Sequence, residues 1–227
     1  MAPAQYLVAM CDVLGFTHLV ATTALDEIHK KYLALVEKLE PHPLFRMAPG
    51  TYAREIVLNR VVFSDTILYW APAGDTMELL PTVLGQIMGQ AMSSMPLRAG
   101  LAFGECIIDP ASEIYVGQPI IDAYRIEREQ EWIGGAFHPS CWQWRGLLEA
   151  LCKGHERSAV KYPVPAKASG SAGRAQLEYA LNWPVLAGPD FSVDALTASE
   201  NRAPQGAKVK WQNTRLFYEA CLAKRNR

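Results

Sequence analysis

The twelve residues YLVAMCDVLGFT at positions 6–17 decide how this chain is read. An apolar run over 6–11 ends in an acid, Asp12, and continues through Val13 and Leu14 to Gly15, Phe16 and Thr17. That is the pattern of a strand feeding a glycine turn. Working outward, Ile28, Tyr32, Leu35, Val36 and Leu39 recur at helical spacing between charged residues, which predicts a helix over 26–39 with one buried face. Pro41 and Pro43 close it and open a loop to about Gly50. Two β-rich segments follow at 56–63 and 66–70, separated only by Ser64 and Asp65, and predict a tight hairpin with an acid at its tip.

Further on, a helix is expected over 76–94, with Met88 and Met92 as core filler. A strand at 97–108 and a turn at Asp109-Pro110 come next, and the chain passes 114–116 before entering a helix at 118–131. The order βαββαβ predicts an α+β fold of the ferredoxin-like kind, an antiparallel sheet with helices, in which the first strand lies beside the second. The remainder predicts a Trp-rich helix at 141–151, a Pro/Gly/Ser segment at 163–173, a strand at 177–183 and a last helix after Trp211. These read as C-terminal additions, about 136–227, to a core of about 5–135 in one domain spanning 1–227.

Composition narrows the function classes. The 227 residues are 50% hydrophobic and 20% charged, as in an ordinary globular domain. With 22 Lys plus Arg against 23 Asp plus Glu, no global charge excess exists to hold nucleic acid or an anionic membrane. Five scattered cysteines without a CxxC pair predict reduced thiols and no zinc site. No apolar stretch is long enough to span a membrane, and the N-terminus lacks a basic secretory start, so a cytoplasmic location is expected.

Asp12 at a strand end and Asp65 at a hairpin tip are positioned to face one point. Two carboxylates are the hard oxygen ligands that Mg²⁺ or Mn²⁺ takes when it also holds phosphates. The turn at Gly15, Phe16 and Thr17 would open its amides at a helix start, an arrangement that favours phosphate. Taken singly, each acid could instead be a turn residue bonded to local amides.

In combination these residues resemble the class III nucleotidyl cyclases. Asp12 to Thr17 match the family's first motif, and Asp65 its second metal aspartate. Arg98, Gly100 and Gly104 resemble its strand motif, and Gly117, Arg125, Ile126 and Glu127 its following helix. The resemblance implies two divalent ions, Mn²⁺ or Mg²⁺, held by Asp12 and Asp65 with the carbonyl of Val13 assisting. It also implies a head-to-tail homodimer with active sites at the interface, in which Arg125 acts on the partner subunit's substrate. The read-out alternative for Arg125 is a surface arginine paired with Glu129 on the same helix.

Three positions depart from the family. Its transition-state asparagine is Ile121 here, and its purine-selecting pair falls at Val61 and Ile114. With FSDTI at 63–67, GQPIIDAYRIE at 117–127, YPVPAK at 162–167 and YALNW at 179–183, the chain most resembles the Pycsar pyrimidine cyclases of bacterial anti-phage defence. That resemblance implies conversion of UTP to cyclic UMP, or CTP to cyclic CMP, read by a separate effector. Arg60, beside Val61, is the nearest donor for a pyrimidine carbonyl. The competing reading is a degenerate cyclase domain that binds nucleotide or partner without turnover. A palm-type diguanylate cyclase is remote, because its Gly-Gly-acid-acid-Phe hairpin is absent from 63–67.

Overall fold

The computed structural model describes residues 2–37, 58–74, 77–153, 157–168, 176–188 and 191–225. The expected loop at 41–50, the first residues of the predicted second strand and most of the Pro/Gly/Ser segment lie outside them. β1 (Ala4–Val13) leads into α1 (Phe16–Thr22) and α2 (Leu25–Glu37), followed by the hairpin β2 (Asn59–Phe63) and β3 (Thr66–Pro72). Next come α3 (Leu79–Ala91), β4 (Leu97–Asp109), β5 (Ile114–Gly117) and α4 (Gln118–Glu129).

The sheet order begins β2-β3-β1-β4, which is the antiparallel ferredoxin-like arrangement expected from the sequence. One detail differs. β1 lies between β3 and β4 and does not touch β2, because the hairpin folds back with its second strand inward. α1 is also additional to the expected elements: Gly15 at φ 77° turns the chain straight into it.

The two sheet faces are built by alternation along each strand. Leu7, Ala9 and Cys11 of β1 join Tyr69 and the buried side of α3 in the main core. Met88 and Met92 sit in this core, as their spacing predicted. Val8 and Met10 belong to a smaller cluster on the opposite face, with Leu68, Trp70, Ala102 and Ala123. α4 packs against β4 at Gly100, where an added Cβ would stand 2.1 Å from the Ala123 carbonyl oxygen. Only glycine allows that approach.

The C-terminal part continues the same sheet. β6 (Gly135–Phe137) runs parallel to β4, and β8 (Tyr179–Leu181) and β7 (Ala159–Lys161) extend the order outward. A 3₁₀ turn at Pro139–Gln143, α5 (Leu147–Lys153), α6 (Trp183–Leu186), α7 (Val193–Arg202) and α8 (Gln205–Arg225) complete it. Three expectations need correction here. The helix expected at 141–151 is a 3₁₀ turn followed by a helix that starts at Leu147, after Gly146 at φ 85°. The expected strand at 177–183 shortens because Trp183 begins α6, with Pro184 at a favoured first-turn position. The last helix starts at Gln205, earlier than Trp211. All five cysteines are free.

Candidate active site

Antiparallel register places Asp12 directly between Thr66 of β3 and Arg98 of β4. The hairpin tip is tied to the end of β1 by the Val13 amide, which donates to the Asp65 carbonyl oxygen at 2.8 Å. The Leu14 amide donates to the Pro96 carbonyl at 2.9 Å, so the turn after Asp12 is held from both sides. From α2, the Tyr32 hydroxyl donates to the Ser64 carbonyl, and its ring meets Phe16 edge-on at 5.8 Å. Asp12 and Asp65 together push the Tyr32 phenol up, after burial, to about 12. Phe16 thus braces the hairpin tip through Tyr32.

Arg98 is the hub of the site. It is 6% exposed, its Nε donates to Glu127 Oε1 at 2.6 Å, and its Nη2 reaches Glu127 Oε1 at 2.6 Å and Asp12 Oδ2 at 3.4 Å. Gln130 frames the pair by donating to the Ala99 and Ile126 carbonyls. Burial raises the carboxyls of both Asp12 and Glu127, and the Arg98 guanidinium pulls each back. Asp65 pushes Asp12 further up, which marks the two aspartates as electrostatic neighbours. One buried cation therefore serves two carboxylates, with a third nearby.

A cavity of about 280 Å³ opens here, lined by Asp12, Thr66, Arg98, Tyr124, Arg128 and Lys167 among others. Lys167 arrives from the C-terminal part. Its ammonium donates to the Arg128 carbonyl at 2.6 Å, and burial, with Arg98 and Lys210 nearby, lowers its pKa. Lys167 lies in the YPVPAK segment, but nothing local in the sequence tied it to Asp12. Long-range pairing of residue 166 with Gln130 delivers it.

Among the described residues, no group of three or more His, Cys, Asp or Glu side chains could hold a metal ion. Asp12 and Asp65 form a smaller oxygen set. That suits an ion such as Mg²⁺, which is commonly bound through one or two carboxylates and completes its shell with phosphate and water. The donor chemistry therefore fits the expected ions.

Of the expected site residues, Asp12 lines this cavity, whereas Val13, Gly15, Phe16, Thr17, Arg60, Asp65 and Arg125 are not among its lining residues. Arg125 stands on the outer side of α4 with its side chain 56% exposed, 3.9 Å from Asp122. Arg60 pairs across the hairpin with Tyr69, whereas Val61 pairs with Leu68. Because strand side chains alternate, Val61 shares the Asp12 face and Arg60 occupies the other. This corrects the expectation that Arg60 stands beside Val61 at the base.

No known family and no curated protein matches the chain by sequence. Among solved structures, it is similar to a bacterial light-regulated adenylyl cyclase, with a TM-score of 0.51 and 12% identity over 81% of this chain and 92% of that one. It is also similar to the catalytic core of a rhodopsin-guanylyl cyclase with converted specificity in complex with ATPalphaS, with a TM-score of 0.49 and 16% identity over 79% and 95%. The guanylyl cyclase Cya2 gives a TM-score of 0.41 and 14% identity over 79% and 92%. At these identities the likeness is one of architecture. The chain has the α+β fold of the class III nucleotidyl cyclase catalytic core.

Proposed function

We propose that the protein is a nucleotidyl cyclase acting on a pyrimidine nucleoside triphosphate, UTP foremost and CTP as the alternative, within a homodimer. The observation that carries the reading is the Asp12 and Asp65 pair at the β1 and hairpin ends, beside a cavity walled by Arg98, Arg128 and Lys167. Acids suited to metal and cations suited to polyphosphate near Asp12 support that reading. In the reaction, the ribose 3′-oxygen attacks the α-phosphorus, the bond to the bridging oxygen breaks, pyrophosphate leaves and the 3′-hydroxyl proton passes to solvent. Divalent ions on Asp12 and Asp65, with the Val13 carbonyl assisting, would supply acidification of that hydroxyl and neutralisation of phosphate charge. Arg98 and Lys167 line the cavity to receive anionic oxygens, and Gly15, Phe16 and Thr17 follow Asp12 at the start of α1.

Dimerisation is supported by the position of Arg125 and by exposed apolar residues. Arg125 is exposed and does not line the Asp12 cavity, and it lies on a helix face that also exposes Ile121 and Tyr124. Phe63, Ile114 and Val116 are exposed apolar residues on the hairpin and β5. Apolar residues at such positions suit a protein contact. A second copy would cover them and present Arg125 to the other site, where it would stabilise transition-state charge. Heterodimers of Asp65→Ala with Arg125→Ala chains should regain activity that neither homodimer has, because one interface then carries a complete set. Verified heterodimers without recovery would remove Arg125 from the partner's site.

Pyrimidine preference rests on Val61, which shares the Asp12 face, and on Ile114, since neither offers a hydrogen bond to a purine edge. With Arg60 on the other face, no donor that separates uracil from cytosine is assigned among the described residues. A signalling role with a separate cyclic-nucleotide effector in anti-phage defence belongs to the same proposal, motivated by the resemblance alone. The test is incubation with all four ribonucleoside triphosphates and Mn²⁺, followed by mass identification of the product. Predominant cyclic UMP or CMP is expected, and predominant cyclic AMP or GMP would overturn the pyrimidine reading. No product under any condition would favour the binding-only domain.

A further inference from the structure

A second cavity, of about 350 Å³, lies in the C-terminal part and shares no lining residue with the Asp12 cavity. Its wall combines three cationic side chains, Lys153, Arg157 and Lys224, with the apolar Ala159, Val160 and Val185. No Asp or Glu lines it among the described residues. Glu149 holds Lys153 from one side at 3.0 Å, and the Lys224 ammonium donates to the neutral Lys161 carbonyl at 2.9 Å. Lys224 also pulls the buried Cys221 thiol down, against the larger effect of burial, so its charge is felt at the cavity wall. With Lys153 held by Glu149, Arg157 and Lys224 are the lining cations that no carboxylate pairs among the described residues, and such a pair calls for an anion.

A separate observation concerns Asn182, another lining residue, which is only 5% exposed. Its Nδ2 donates to the Arg157 carbonyl at 2.8 Å, which fixes the amide orientation. Its Oδ1 has no hydrogen-bond partner among the described residues. A buried acceptor left unpaired is costly, so the site calls for a donor as well as an anion. The apolar wall calls for a flat or aliphatic body between the two. A nucleoside monophosphate combines these three features in one molecule: phosphate for the cations, a base with N–H groups for Asn182, and a ring for the valines. The volume falls in the range of small-molecule sites, about 300 to 1,000 Å³.

We propose that this cavity is a second ligand site, specific for a nucleoside monophosphate and separate from the site of turnover. The test is calorimetric titration of the full chain with uridine 5′-monophosphate, adenosine 5′-monophosphate and inorganic phosphate. It is repeated on Asp12→Ala, on Arg157→Ala combined with Lys224→Ala, and on Val185→Trp, which fills the cavity without altering charge. Saturable nucleotide binding that survives Asp12→Ala, and weakens at least about tenfold in both cavity variants, is expected. Binding lost in Asp12→Ala but kept in the cavity variants would assign the nucleotide to the first site and overturn the proposal. So would inorganic phosphate binding as tightly as either nucleotide, or no binding of any probe up to about 10 mM. Because Asp12→Ala is inactive if the proposed function is right, this result does not depend on turnover.

Discussion

At the scale of single residues, Asp12 pays for its position. Burial holds its carboxyl above the ordinary value despite Arg98, so the folded state resists its ionisation. A carboxyl raised in this way contributes stability at low pH, and that contribution is lost as pH rises through the folded value. Asp12→Asn should therefore unfold at a higher temperature than wild type near about pH 8, with the gain shrinking in acid. The same variant should lose turnover by about 100-fold or more and lose stabilisation by Mn²⁺, read in the same melting experiment. A midpoint unchanged across pH would remove the burial argument. The sequence disclosed Asp12, Asp65 and Gly15 because their neighbours along the chain form a continuous motif. It disclosed Arg98 and Glu127 only as motif members, since their 2.6 Å contact joins residues on two different elements. Arg60 adjoins Val61 within one strand, so the alternation of faces alone separates the two side chains.

Among elements, α4 carries the most consequence, since it bears Glu127 inward and Arg125 outward. Its seat is Gly100, where the approach to the Ala123 carbonyl leaves no room for a methyl group. Gly100→Ala should destabilise the protein by about 1 to 3 kcal/mol in urea unfolding, through displacement of the helix. Activity should fall further than stability explains, because Glu127 and Arg125 move with it. The 3₁₀ turn after β6 gives a pH prediction. His138 caps it by accepting from the Ser140 amide through Nδ1, which requires the neutral ring, and burial lowers its pKa. A histidine lowered in the fold contributes stability above its unfolded value, and that contribution is lost as pH falls through the folded one. Wild type should lose thermal stability below about pH 6.5, and His138→Asn, which caps without titrating, should lose less. Equal losses would show that the cap does not matter. The long periodic helices α2, α3 and α4 were legible in sequence. The three-residue strands β6 and β7 were not, because strands so short exist only through their neighbours in the sheet.

For the whole molecule, the core and its C-terminal additions share one sheet and an aromatic junction. Trp132 lies fully buried against Phe217 of α8 at 4.7 Å and stacks with Tyr162 at 5.8 Å, while its Nε1 donates to Gln130 at 2.6 Å. Thr214 of α8 receives the Ile133 amide at 2.8 Å. The expected single domain should accordingly melt in one cooperative transition, and Trp132→Ala should cost about 3 to 5 kcal/mol. Two separable transitions in scanning calorimetry would divide it. Composition and motif spacing reached the core of this arrangement. They did not reach the junction, whose partners stand some eighty residues apart and obey no local period. The central place of β1 also sets a timetable. It leaves the ribosome ahead of its partners, β3 and β4, which emerge only with residues 66–72 and 97–109. The newborn chain must therefore carry an unpaired apolar strand until β4 has also emerged. Loop closure of that length makes folding slow, and the exposed strand makes it vulnerable to aggregation. Assembly of the Asp12 site must wait for β4, and anything that shields residues 4–13 until then governs the yield of native protein.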